Sequence, residues 1–218
     1  MLKILAVTGL SGISGASLAS SGKGIGAMIP GKGWVKADDA ASKHDGTPLQ
    51  FMPKTAPDTD PLENELEKYP RCPYCGMSRK MWHHSRHLVH YDDDLADGTC
   101  SIHCLAISLS LNLDRGPKAI YAADFSSGEE PRKLVNVDKA TYLVGSKLKG
   151  TMSKNSKMAF SSARAAEAGR VEQGGDLANF NEALTAAYAD MATDTMMIRK
   201  RRGEKVRKMM EMKKMKQG

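Results

Sequence analysis

Several things are scarce or missing in this sequence. No run of eighteen apolar residues occurs beyond the extreme N-terminus, so the mature chain holds nothing that would cross a bilayer as a helix. Aromatic residues make up only 6%, although apolar residues at 41% suffice for a core. Basic charge is missing from most of the chain despite a net charge of +7. Residues 198–218 hold ten Lys/Arg and two Glu, a local +8, which leaves the rest at −1. A neutral body argues against a nucleic-acid-binding domain, and the charge reads as an appended basic arm. No proton-transfer pair or activated nucleophile stands out, so an enzyme is not expected. Cysteine is sparse too: there are four, all between Arg71 and Cys104.

The N-terminus has one basic residue, Lys3, then an uncharged stretch from Ile4 to Ser21. Small residues at Ser17 and Ala19 suit cleavage of a signal peptide over residues 1–19. That places the mature chain outside the cytoplasm. No cysteine lies near the cleavage point, so nothing argues for a lipid anchor. Residues 20–68 read as an irregular Gly/Pro-rich segment. Within it "GAMIPGKG" nearly matches a phosphate loop, but Gly33 stands where Ser/Thr is required and no strand precedes it. "PLENELEKYP" reads as a short helix bounded by Pro61 and Pro70.

The body, residues 69–192, mixes strands and helices and is of the α+β class. "HLVHY" reads as a strand followed by an acidic turn at Asp92–Asp94. "CSIHCLAISLSLNL" reads as a helix starting at Cys100 and capped by Thr99, with Ile102, Leu105, Leu109 and Leu113 on one stripe. "KAIYAADF", "KLVNV" and "ATYLVG" are further strands. "SSARAAEAG" is a helix with Gly169 as its stop. "GGDLANFNEALTAAYADM" is another, with Leu184, Tyr188 and Met191 on one face. No internal repeat is visible. The tail, residues 193–218, holds six of the fourteen methionines without an apolar stripe. It reads as partly helical, and as a solvated, disordered arm, or as a contact for acidic lipid or an acidic partner, or as thioethers that collect soft copper.

The chemistry concentrates in "RCPYCGMSRKMWHHSRHLVHYDDDLADGTCSIHC". Cys72 and Cys75 lie on a CPxCG turn, where glycine permits positive φ and two sulfurs grip one ion from one side. Cys100 and Cys104 are spaced to share one face of a helix near its N-terminus, where thiolates are stabilised. Turn, strand or hairpin, then helix start is the layout of a treble-clef site. Three fillings compete: a zinc closed by four thiolates, two disulfides, or an exchangeable Cu(I) site. Met77, Met81 and the histidines at 83, 84, 87, 90 and 103 crowd the same segment and shift the weight toward copper. A redox CxxC is disfavoured because the βαβ context is missing.

"CPYCGM", the "HSR" segment, "YDDDLADGTCSIHC", "ATYLVGSKLKGTMSKNSKMAF" and "GGDLANFNEAL" together resemble the NosL family, over about residues 69–191. The family assists nitrous oxide reductase. The resemblance implies a small mercury-lyase-like α+β domain with ββαβ units. It also implies a periplasmic Cu(I) metallochaperone that hands copper to nitrous oxide reductase or its maturation complex. By position, Cys72, Cys75 and Met77 match the family's CxxCGM and Met152 its later GxM segment. Cys100 and Cys104 make this a four-cysteine subtype whose ion could be zinc. The expected ligand pool is Cys72, Cys75, Met77, Cys100, Cys104 and Met152. No nucleic-acid partner is expected, and peripheral membrane contact through the tail is open.

Overall fold

A computed structural model of the chain describes residues 56–113 and 115–215, together with the backbone of two short strands upstream. The expected leader, residues 1–19, lies outside the described residues. The chain divides into two units, residues 1–44 and 45–218. In the first, β1 (Gly26–Ile29) and β2 (Gly33–Lys36) form an antiparallel hairpin with Met28 opposite Trp34. This corrects the irregular segment expected from the sequence. Five apolar residues at 27–29 and 34–35 flank a Pro-Gly pair, and that turn chemistry suits a hairpin better than a phosphate loop.

The first described residues of the second unit are tied to its body. The Asp58 N–H donates to the Asp94 carbonyl at 2.7 Å, and the Tyr69 hydroxyl donates to Asp58 at 2.7 Å. The short helix expected between the two prolines is α1 (Glu65–Lys68), a single turn.

Two ββαβ units then follow in series. The first is β3 (His87–Tyr91), β4 (Ala96–Thr99), α2 (Ile102–Leu111) and β5 (Pro117–Ala123). β6 (Leu134–Asn136) and a 3-10 turn over Val137–Lys139 lead to the second. That unit is β7 (Thr141–Val144), β8 (Lys157–Phe160), α3 (Ala163–Gln173) and β9 (Asp176–Ala178). In each, the first strand is central and the other two pair antiparallel on its flanks, giving orders β4-β3-β5-β6 and β8-β7-β9. The α+β class and the ββαβ units implied by the family resemblance are therefore present. The two units also repeat one topology, which the sequence does not betray.

Several local expectations are corrected. α2 starts at Ile102, not Cys100. Thr99 pairs with His87 as the last residue of β4, so it cannot cap the helix, and Ser101 holds the N-cap position. Leu113 lies past the helix and is exposed. α3 runs through Gly169 to Gln173 and ends at Gly174 and Gly175, both at positive φ. Gly169 answers a packing need instead: a Cβ there would lie 3.0 Å from Phe160 Cζ. Asp176–Ala178 is a strand, and the last helix, α4 (Phe180–Met215), begins after it. Asn179 and Glu182 cap it reciprocally: the Glu182 N–H donates to Asn179 Oδ1 at 3.0 Å, and the Asn179 N–H donates to Glu182 Oε2 at 2.8 Å. α4 continues through the supposed solvated arm as 36 helical residues, about 54 Å long. Among the described residues no helix is long and apolar enough to cross a membrane.

The main core lies where α2 and α4 cover the sheets, around Val89, Leu105, Ile120, Tyr142 and Ala183. A fully buried leucine such as Leu105 contributes roughly 2 kcal/mol. Leu184 and Met191 pack against this core as their shared face suggested, while the Tyr188 hydroxyl donates to the Ala106 carbonyl at 3.0 Å.

His87 is locked into this core. Its Nδ1–H donates to the Ser85 carbonyl at 3.0 Å, and Nε2 accepts from the Tyr142 hydroxyl at 3.1 Å. Burial pushes the imidazole down to about 4. The unfolded chain takes a proton there near pH 6.5, which the folded chain refuses until about pH 4. Stability from this residue is therefore complete above about pH 6.5 and falls as pH drops toward 4, by about 3 kcal/mol in all. Urea midpoints at pH 7 and pH 4.5 check it. The wild-type drop should shrink in His87→Gln, and an equal drop in both proteins would refute the assignment.

Candidate metal centre

The centre is assembled from three separate pieces of chain. The first is the turn carrying Cys72 and Cys75. The Cys72 carbonyl accepts from the Gly76 N–H at 2.9 Å, and the Cys72 N–H donates to the Met77 carbonyl at 3.0 Å. Gly76 has φ 76°, a conformation that a Cβ would strain. This knuckle turns both sulfurs inward.

The second piece is the junction of β4 and α2. Cys100 sits between strand and helix, and Cys104 lies in the first turn of α2. The Ser85 hydroxyl fixes this junction from outside, 2.9 Å from the Cys100 carbonyl and 2.7 Å from the Thr151 hydroxyl.

The third piece is the loop between β7 and β8. It brings Met152 against the cysteines with φ 62°, a left-handed conformation uncommon for a side chain of this size. α4 holds the loop in place. The Lys154 N–H donates to Asp194 Oδ1 at 3.1 Å, and the Asn155 amide donates to Asp190 Oδ2 at 2.9 Å. The Lys157 ammonium pairs with the same Asp190 oxygen at 2.6 Å.

The four sulfurs meet. All lie within 4.8 Å of one another, with Cys75 and Cys100 3.4 Å apart and Cys100 and Cys104 3.7 Å apart. All four are free thiols, so the two-disulfide reading is set aside. Cys72, Cys100 and Cys104 are buried, while Cys75 is partly open to solvent. Met77 and Met152 pack on the cluster, each half-buried. All six residues singled out from the sequence are thus gathered at one place.

The electrostatics divide the thiols into two pairs. Cys72 is drawn far below the ordinary thiol range by hydrogen bonds from Cys100, Cys104 and Cys75, and Cys75 is drawn down by Cys100 and Cys104. Cys104 is pushed up by its hydrogen bonds with Cys100 and Cys72. Cys100 is lowered by Cys104 but raised on balance by Cys72, Cys75 and burial. The neighbours therefore favour the charged form at the knuckle and the protonated form at the second pair. Four thiols that share protons in this way form a soft donor set for one ion, and loading displaces the remaining protons.

The histidines do not join the cluster. Among the described residues the only metal-competent group of this kind is the four cysteines. His83 accepts the Arg132 N–H at 3.2 Å, His90 pairs with Asp94 at 3.1 Å, and His103 lies 3.5 Å from Asp194. His84 packs among Trp82, His83 and Phe125. Met81 is three-quarters exposed.

Sequence reasoning missed the frame around the site: Ser85, Thr151, Asp190, Asp194 and above all Arg79. The Arg79 side chain is fully buried and donates to the carbonyls of Tyr69 (2.8 Å), His87 (3.1 Å), Glu65 (3.2 Å) and Thr99 (3.3 Å). It reaches Glu65 Oε2 at 2.7 Å, and Arg86 pairs with the other oxygen at 2.7 Å. The guanidinium thus ties the knuckle to both β3 and β4.

No curated protein matches the chain. Among solved structures, the crystal structure of the copper chaperone NosL from Shewanella denitrificans aligns at 24% identity. The alignment covers 51% of this chain and 87% of that one, with a TM-score of 0.42. The NosL family model matches residues 63–188, more than half of the chain and all four cysteines and both methionines of the centre just described. The chain belongs to the NosL family.

Proposed function

We propose that this protein is a non-enzymatic carrier that holds Cu(I) at the sulfur cluster and passes it to a copper enzyme under assembly. Nitrous oxide reductase or its maturation complex is the recipient, and the periplasm the compartment. One observation carries the reading: four thiols within 4.8 Å of one another, with the thioethers of Met77 and Met152 packed on them. Thiolate and thioether select Cu(I), and a site bound through two or three of these sulfurs stays open to ligand exchange. Cys75 is the one thiol open to solvent, so exchange with a recipient starts there.

Anaerobic titration of the purified protein with Cu(I) against a competing chelator tests the reading. One ion should bind per chain, well below about 1 µM. Affinity should fall as pH drops, because protons return to Cys100 and Cys104. Binding no tighter than about 1 µM rules out a carrier.

A second reading rests on the number of thiols. A tetrahedral zinc with Zn–S bonds of about 2.3 Å has sulfur–sulfur edges of about 3.8 Å. The 3.4 and 3.7 Å separations lie close to that. On this reading the ion is a staple and removing it unfolds the domain. Stoichiometric zinc that copper does not displace, found in protein taken from its own compartment, selects it over the carrier.

A further inference from the structure

We propose that the exposed half of α4 binds the surface of anionic bilayers and holds the sulfur centre beside them. Asp194 is the last buried residue of this helix. From residue 199 to residue 215 every residue is exposed except Glu204, which is half-buried. This stretch, about 25 Å of helix, carries nine Lys/Arg and two Glu.

The charge is crowded against itself. Arg199 and Arg202, Arg202 and Lys205, Arg201 and Lys205, and Lys205 and Lys208 are like-charged neighbours three or four residues apart, which destabilises a free helix. Gly203 adds to this, since it lacks a side chain and nothing stands within 4 Å of where a Cβ would be. An anionic surface relieves that repulsion.

The stretch also exposes apolar side chains. Val206, Met209 and Met210 are neighbours at helical spacing, and Met212 extends the patch; their exposures run from 43% to 60%. Arg202, Lys205 and Lys213 border the patch. A second copy of the helix would bring two strongly positive surfaces together, so self-association does not cover it. Nucleic acid would satisfy the charge but leave Val206 and the methionines against phosphate. A bilayer surface takes both kinds of group. Basic heads meet lipid phosphates, their stems lie along the apolar boundary, and the Val/Met patch enters it.

The point of departure gives the contact a purpose. Asp194 accepts the Lys154 N–H at 3.1 Å, and Lys154 lies two residues from Met152. The basic helix therefore leaves the body beside the loop that closes on the thiols. Docking keeps that centre near the membrane whichever ion it holds.

Sedimentation of the full chain with lipid vesicles tests this. One set mixes phosphatidylglycerol with phosphatidylcholine, and the other is pure phosphatidylcholine. The protein should sediment with the mixed vesicles only, and release as salt rises from about 0.05 M to about 0.5 M. Neutralising four residues together (Arg199→Gln, Lys200→Gln, Arg201→Gln, Arg202→Gln) should lower partitioning on the order of a hundredfold or more. The circular dichroism of the body and its metal content should be unchanged, because these side chains are exposed. Val206→Ser with Met209→Ser and Met210→Ser should weaken binding while keeping its salt dependence. No sedimentation with anionic vesicles at low salt, equal binding to neutral vesicles, or unaltered binding by the four-residue variant overturns the proposal. Tighter binding to duplex DNA than to the vesicles at the same salt also overturns it.

Discussion

Replacing Cys72 by serine should lower the affinity for the bound ion by roughly 10²–10³-fold. A four-thiolate metal site is worth about 10–16 kcal/mol at neutral pH, so each ligand carries about 3 kcal/mol or more. Cys72 is drawn far below the ordinary thiol range by its neighbours' hydrogen bonds and lies at the base of the knuckle. A hydroxyl there offers a harder, protonated donor. Met152→Leu separates the two readings of the site, because leucine keeps the apolar contact with the cysteines and removes only the thioether. If copper is the ion, Cu(I) affinity should fall about tenfold while zinc affinity holds, since thioether favours copper. Competition titrations with each ion read both effects. A Cys72→Ser variant that binds as tightly as wild type would show that the knuckle is not part of the site.

The centre is legible in the sequence to the extent that its chemistry is local. Pro73 and Gly76 frame a turn whose geometry follows from residue type, and that turn determines where Cys72 and Cys75 point. Cys100 and Cys104 are legible as a pair near a helix start, but not which residue begins the helix. That depends on Thr99 pairing with His87, a contact across the sheet. Met152 is eighty residues from Cys72 and reaches it only because the second ββαβ unit packs its loop there.

Two of the missed strands share a cause. β4 reads ADGT and β9 reads DLA, sequences with weak strand preference that are extended because a central strand pairs with them. The end of α4 is legible only as partly helical, for the opposite reason. Its few apolar residues make only a short patch near the end, so periodicity says little, yet Met, Lys, Arg and Glu are all good helix formers. The histidines misled through closeness in sequence. Successive residues on a strand point to opposite faces, and each ring already has a polar partner: Arg132 for His83, Ser85 and Tyr142 for His87, and Asp94 for His90.

Arg79→Met should destabilise the domain by about 3–5 kcal/mol, the range for breaking a buried ion pair from one side. The substitution fills much of the same volume but removes the donor that four carbonyls share, and it leaves Glu65 to Arg86 alone. For a domain of this size that lowers the melting temperature by about 10 °C or more. Arg79→Lys should recover only part of it, because an ammonium cannot span carbonyls spread around a planar fork. Gly98 supplies an independent check. A Cβ there would stand 2.6 Å from the Arg79 guanidinium carbon and 2.7 Å from Tyr69 Cβ, and the guanidinium is pinned on all sides. Gly98→Ala alone should therefore be costly. In the Arg79→Met background, where a flexible side chain can yield, it should cost less. Urea unfolding of the four proteins in the cycle measures that coupling. Strict additivity, or a loss below about 1 kcal/mol for Arg79→Met, would mean that the knuckle is held to the sheet by something other than this guanidinium.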